Sequence, residues 1–291
     1  MIDFTNCKEL LNTYGGSEKK KKIIFNDEVY LLKFPDPIRE KNKKLSYVNN
    51  QYSEYIGCHI FKELGISDQD TILGIYKDGD KEKVCVACRD FANDKMELIE
   101  FSKLANSITS SDVKFSTNIE DIYEVVKQSG LIKDKNKIID GFWDIFVIDL
   151  LIGNKDRHLE NWGIVKLSNG DTTISPVYDC GSCFFPLYSK EEVEELLSNK
   201  TELKNKAYNV KSVYKLNGSP IFYRDIGKID NIDLKNAILR IGKRIDLDKL
   251  KEVINETPYL SSEYKECFII AMEIRYKEIF KKAFDKIKDS N

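Results

Sequence analysis

The chain has 291 residues, 42% of them hydrophobic and 32% charged, enough to bury a sizeable core in one large domain or two lobes. Its 46 basic residues nearly cancel the 48 acidic ones, and a formal net charge of −2 removes any global electrostatic reason to bind nucleic acid or an anionic membrane. No stretch offers the roughly 18 uninterrupted apolar residues of a membrane span. The opening MIDFTNCKELLNTYGG has neither a basic nor an apolar leader region, so a cytoplasmic protein is expected, with a secreted effector role left open.

The first feature in chain order is a turn. YGGSEKKKK puts Gly15 and Gly16 where backbone can approach an anion closely and Ser17 at the tip, immediately before the first hairpin, where a phosphate-covering loop belongs. The run Lys19 to Lys22 reads as a solvated strand edge that discourages aggregation rather than as a nucleotide contact. KKKIIF and VYLLKF follow as strands joined at Asn26-Asp27. A period of two places Lys33 on the same face as Val29 and Leu31, and a lysine on a mostly apolar face needs a partner. A helix predicted from about Ser46 to Leu64, on the recurrence of Val48, Tyr52, Tyr55, Ile56 and Ile60, supplies Glu54 as that partner. TILGIY, a DGD turn and KVCVACRDF complete the strands. CRDF ends them where the texture changes near residue 95, which makes Arg89, Asp90 and Phe91 candidates for a hinge whose backbone receives adenine. Residues 1–91 are expected to form a β-rich N-terminal lobe with one main helix, and 92–291 a larger, mostly helical C-terminal lobe, an α+β protein overall.

Beyond residue 95 the periodicity is helical in DGFWDIFVIDLLIG, NIDLKNAILRIGKRI, LDKLKEVI and the terminal SSEYKECFIIAMEIRYKEIFKKAFDKI. One β-like interruption runs from Trp162 to Val177, turning at Asn169-Gly170. GNKDRHLENWGIV sits between a buried helix and that hairpin. It places Asp156 five residues before Asn161, and Asp179 follows eighteen residues later in PVYDCGS. Phosphoryl transfer needs this set: a carboxylate near the attacking hydroxyl, with a carboxamide and a second carboxylate as hard oxygen ligands for Mg²⁺ on nucleotide phosphates. Standing alone, DRHLEN reads better as a capping Asp156, an Arg157 paired with a surface acid and a turn-forming Asn161. Asp179 and the Lys33, Glu54 pair weigh against that. Seven cysteines, an odd number without an export signal, imply reduced thiols. CVAC and CGSC are too far apart for a zinc ribbon, so buried thiols are expected. The basic face at Lys277, Lys281 and Lys282 reads as part of a packed helix rather than a membrane contact.

GNKDRHLEN, PVYDCGS, LLKFP and CRDF, spread from about residue 14 to 183, are specific in combination: the chain resembles the HipA-like kinase family, and most closely its compact, CtkA-type members. The resemblance implies a bilobal protein-kinase-like fold, ATP with Mg²⁺, and transfer of the γ-phosphoryl group to Ser or Thr of a protein substrate, with autophosphorylation in the glycine-rich loop. It implies Asp156 as catalytic acid/base, Asn161 and Asp179 as metal ligands, Lys33 as the phosphate-binding lysine and Glu54 as its partner. His158 matches the family's loop histidine, and either orients the loop or touches phosphate. An antitoxin partner is implied too, though longer members carry an N-terminal β subdomain for which there is no room before Tyr14. Two alternatives stay open: a phosphoinositide-type lipid kinase, which also uses DRHxxN, and a nucleotide-binding pseudokinase or toxin-antitoxin scaffold.

Overall fold

The computed structural model describes residues 2–11, 20–35, 48–92, 95–108 and 116–290. Strands β1 (Lys8–Leu10), β2 (Lys20–Phe25), β3 (Glu28–Lys33), β4 (Thr71–Asp78) and β5 (Lys81–Arg89) form one sheet in the order β1-β2-β3-β5-β4, with antiparallel neighbours. Asn26 and Asp27 both adopt positive φ, 49° and 62°, the turn whose twist suits a tight hairpin. Phe4, Ile23, Tyr30, Leu32, Phe34 and Tyr76 make a small core on one face of the sheet. The other face is covered by helix α1 (Asn50–Glu63), whose Ile56, Ile60 and Phe61 belong to the main core.

Helix α1 begins later than the periodicity suggests. The N–H groups of Val48 and Asn49 donate to Pro186 O at 2.9 and 3.0 Å, so this approach segment is tied to a distant loop instead of continuing the helix. Ser46 lies outside the described residues.

The rest of the chain runs β6 (Met96–Glu100), α2 (Phe101–Ile108), α3 (Ile119–Gln128), α4 (Lys135–Ile152), β7 (Gly163–Leu167), β8 (Thr172–Ile174), α5 (Lys190–Ser198), α6 (Lys200–Tyr208), β9 (Lys211–Leu216), β10 (Ser219–Phe222), α7 (Ile232–Gly242), α8 (Leu247–Asn255), α9 (Ser262–Arg275) and α10 (Lys281–Asp289). A π turn, Tyr276–Phe280, joins the last two. The expected hairpin is β7 with β8, but β6 adds a third strand to it, and β9 with β10 is a second hairpin the periodicity did not reveal. Strands β1, β6, β9 and β10 are short and partly exposed, held by pairing with a neighbour more than by an alternating apolar face.

Helix α4 is the centre of the helical part. Phe142 and Phe146 on it pack against Trp162, Tyr214 and Tyr223, with Trp143 edge-on to Phe146 beside them. Asp134 caps its start by accepting from Lys137 N–H, and Gly153 ends it at φ 67°, a left-handed turn that would strain any side chain. All cysteines but Cys7 are buried free thiols, and among the described residues no cluster of His, Cys, Asp and Glu forms a metal site by itself. Lys277, Lys281 and Lys282 pair with Glu273, Asp285 and Glu278, one turn away in each case. No helix among the described residues is long and apolar enough to cross a membrane.

Candidate active site

Lys33 ends β3, where pairing to β5 sets it opposite Val86 and turns its side chain toward α1. Its Nζ lies 3.0 Å from Glu54 Oε1 and 2.8 Å from Asp179 Oδ1. The triangle closes through the backbone, since Asp179 N–H donates to the same Glu54 oxygen at 3.0 Å. Glu54 is only 1% exposed, whereas 39% of the Asp179 side chain is open. Asp179 sits at φ 58°, a left-handed conformation rare outside glycine, so its surroundings hold it in place. Burial alone would raise its carboxyl, but the charge and hydrogen bond of Lys33 hold it at about 2. Burial opposes the charge on Lys33 as well, yet Asp179 and Glu54 raise it well above the ordinary lysine value.

The loop after α4 is built around a buried ion pair. Asp149, on the last turn of α4, takes Arg157 Nε at 3.0 Å and Nη2 at 3.2 Å, and Asn154 Nδ2 at 2.9 Å. Arg157 is 2% exposed, so its partner is no surface acid. Its other nitrogen, Nη1, donates to Asn161 O at 2.8 Å, to Tyr178 O and to Asp179 O at 3.4 Å. One guanidinium thus joins the Asp156 to Asn161 loop to the segment after β8 that carries Asp179. Asn154 Oδ1 accepts from Asp156 N–H at 3.1 Å, and Asn161 Nδ2 donates to Asp156 O at 2.8 Å. Burial, helped by the Asp179 carboxylate and opposed by His158, pushes the Asp156 carboxyl up. His158 Nδ1 accepts from Glu160 N–H at 3.3 Å, which leaves the ring proton on Nε2.

Lys33, Glu54, Asp156, His158, Asn161 and Asp179 are therefore brought together. Gly15, Gly16 and Ser17 lie outside the described residues. In the hinge candidate, Arg89 N–H donates to Asp70 O and its C=O accepts from Gln69 Nε2, while Asp90 N–H donates to Val29 O, each at 2.8 Å. A base reading those groups competes with bonds already made. The Arg89 side chain reaches Glu28 and Asp70, and Phe91 packs near Tyr178, 6.0 Å between ring centroids. Sequence reasoning passed over Asp149, Asn154 and Tyr178. An acid inside the apolar run DGFWDIFVIDLLIG was the available signal for the first.

The donor set suits a nucleotide with a hard cation. Asn161 gives its amide hydrogen to Asp156 O, its carboxamide oxygen is in no described hydrogen bond, and the Asp179 carboxylate is partly open. Two oxygen donors are too few to cage Mg²⁺, which ordinarily keeps phosphate and water in its shell. A basic, buried Lys33 fixed by two carboxylates matches the charge of the phosphates themselves.

A sheet that holds a lysine against a helix glutamate, and a helical part whose loop presents Asp156 and Asn161 to it, define a protein-kinase-like protein. The chain belongs to the HipA-like family: residues 13–257 match the HipA-like C-terminal domain. It is 37% identical over 96% of its length, and 86% of the relative's, to the serine/threonine-protein kinase CtkA of Helicobacter pylori. The crystal structure of the Helicobacter pylori proinflammatory kinase CtkA superposes with a TM-score of 0.90 at 35% identity, covering 100% of this chain and 98% of that one. HipA from a Shewanella oneidensis toxin-antitoxin complex of HipA, HipB and operator DNA shares the fold at a TM-score of 0.53 and 14% identity, over 97% of this chain and 68% of that one.

Proposed function

We propose that the chain is an ATP- and Mg²⁺-dependent serine/threonine protein kinase. The observation that carries this reading is the closed triangle of Lys33, Glu54 and Asp179, joined through Arg157 to the loop of Asp156 and Asn161. We take residues 1–91 as the N-terminal lobe and 92–291 as the C-terminal one, with the nucleotide between them; β6 supports this by pairing with β7 and not with the first sheet. Asn161 and Asp179 would hold Mg²⁺, which supplies charge neutralisation on the phosphates. Lys33 would bind the phosphates, with Glu54 holding it in place. Asp156 would accept the proton of the substrate hydroxyl, and its raised carboxyl is a better base for that than an ordinary one. His158 would orient the loop through its bond to Glu160 N–H. The substrate is a protein with Ser or Thr. An antitoxin-like partner is a further proposal, drawn from the HipA and HipB complex of the Shewanella relative.

Incubation with labelled ATP and Mg²⁺, alone and with casein, should transfer label to Ser or Thr, and lipid vesicles should stay unlabelled. Asp156→Asn should reduce transfer by at least about 10²-fold while ATP still binds. Undiminished turnover in that variant would remove Asp156 from the reaction.

A further inference from the structure

Lys20, in the run that the sequence marks as a solvated edge, does not lie with its neighbour. Lys21 points to one face of the sheet, with Nζ 2.6 Å from Tyr76 Oη and 4.8 Å from the Tyr76 ring centroid. Ile23 follows it into the small core on that face. Lys22, by the alternation of a strand, faces the other way, and its Nζ meets Asp90 Oδ2 at 3.0 Å beside the hinge candidate. Lys20 shares the face of Lys22. Its register partner across the β2–β3 pair is Lys33, and residues directly opposite in antiparallel strands project their side chains together, with Cβ atoms about 5 Å apart. Lys33 Nζ is 2.8 Å from the partly open Asp179 carboxylate, and the charge of Lys20 acts on that carboxylate as well.

Like charges set directly opposite on a sheet repel. Glu54 and Asp179 set two negative charges against the one on Lys33, so it is the second ammonium that brings this corner to balance and lets a polyphosphate approach without net repulsion. Resting on the kinase reading above, we infer that Lys20 is a second phosphate-binding lysine, which contacts the polyphosphate tail of the nucleoside triphosphate from β2 as Lys33 does from β3.

Calorimetric titration of the full chain with ATP, ADP and adenosine, with and without Mg²⁺, tests this. Lys20→Met keeps the aliphatic stem and removes the charge. It should weaken ATP by about tenfold or more, the worth of a hydrogen bond to a charged group, weaken ADP less, and leave adenosine unchanged. Lys20→Arg should recover most of the ATP affinity. Equal ATP affinity in wild type and Lys20→Met overturns the inference, and so does an equal loss for ATP and adenosine, which marks a disturbed strand. A wild-type chain that binds none of the three fails the kinase reading itself, and the inference falls with it.

Discussion

Lys33 is the residue on which the site's charges balance, and its partner Asp179 responds to pH in a way that can be measured. Asp179 has a folded-state carboxyl at about 2, below the unfolded value of about 3.9. A depressed carboxyl contributes stability that is complete above the unfolded value and is lost as pH falls through the folded one. Lys33→Met leaves the Glu54 and Asp179 carboxylates facing each other without the cation. Its acid-denaturation curve should lie below that of the wild type above about pH 4, and the two should converge as pH falls through about 2, where Asp179 takes up its proton. Curves separated by a constant amount across that window would show that Lys33 acts by packing alone. The positions of these residues were legible because the proposed chemistry asks for that spacing: in the reading proposed above Asp156, Asn161 and Asp179 serve a phosphate and its cation, and Lys33 announces itself by sitting in an apolar strand. Arg157 was legible as a residue and not as a partner. Only folding reveals that Asp149, eight positions earlier on a helix, is the acid beneath it.

Helix α1 shows what a single element must do to keep that geometry. Ser53 Oγ donates to Cys183 O at 2.8 Å and Cys183 Sγ donates back to Ser53 O at 3.0 Å, so the helix is joined to the segment after Asp179 by a reciprocal pair. One turn on, Gly57 lets Cys180 lie against the helix: a Cβ there would come within 2.5 Å of Cys180 Cβ. Alanine for a mid-helix glycine ordinarily gains about 1 kcal/mol, but this clash is between two Cβ atoms that no rotamer change can separate, and overpacking of that kind costs about 1–3 kcal/mol. Gly57→Ala should therefore lower the thermal midpoint and weaken ATP binding, because Glu54 moves with the helix. Adding Cys180→Gly should recover part of the ATP binding. A Gly57→Ala variant as stable as wild type would show that the segment after Asp179 yields freely. The sequence revealed this helix by its apolar period but set its start too early, since nothing local shows that Val48 and Asn49 bond to Pro186. Strands β1 and β6 escaped for the same reason, since their partners β2 and β7 lie elsewhere in the chain, whereas β9 and β10 form a local hairpin about the Asn217-Gly218 turn that the apolar pattern alone did not mark.

At the scale of the whole molecule, α1 lies under the N-terminal sheet yet is bound to the helical part along its full length. Asn49 Nδ2 donates to Tyr188 O at 2.6 Å, Tyr52 Oη to Tyr259 O at 3.0 Å, and Arg244 Nη1 to Leu64 O at 3.2 Å, in addition to the Ser53 and Cys183 pair. Its Ile56, Ile60 and Phe61 share one core with α4, while the outer face of the sheet has a core of its own. The texture change near residue 95 announced two parts, but it could not show that the helix between the first strands would belong energetically to the second part. Local opening follows the buried contacts an element must break, and swinging α1 outward would expose Glu54 and separate it from Lys33 at the expense of every bond just named. The expectation is that this kinase is not switched by moving α1. Any closure on nucleotide would slide the sheet over a stationary helix. Hydrogen exchange checks this: the amides of residues 54–62 should be about as protected as those in the middle of α4, and should change little when ATP and Mg²⁺ are added, while protection rises in β2 and β3. If α1 instead exchanges as fast as the loops and becomes protected only with nucleotide, the helix is mobile in the free protein, and the contact of Lys33 with Glu54 is one state of a switch.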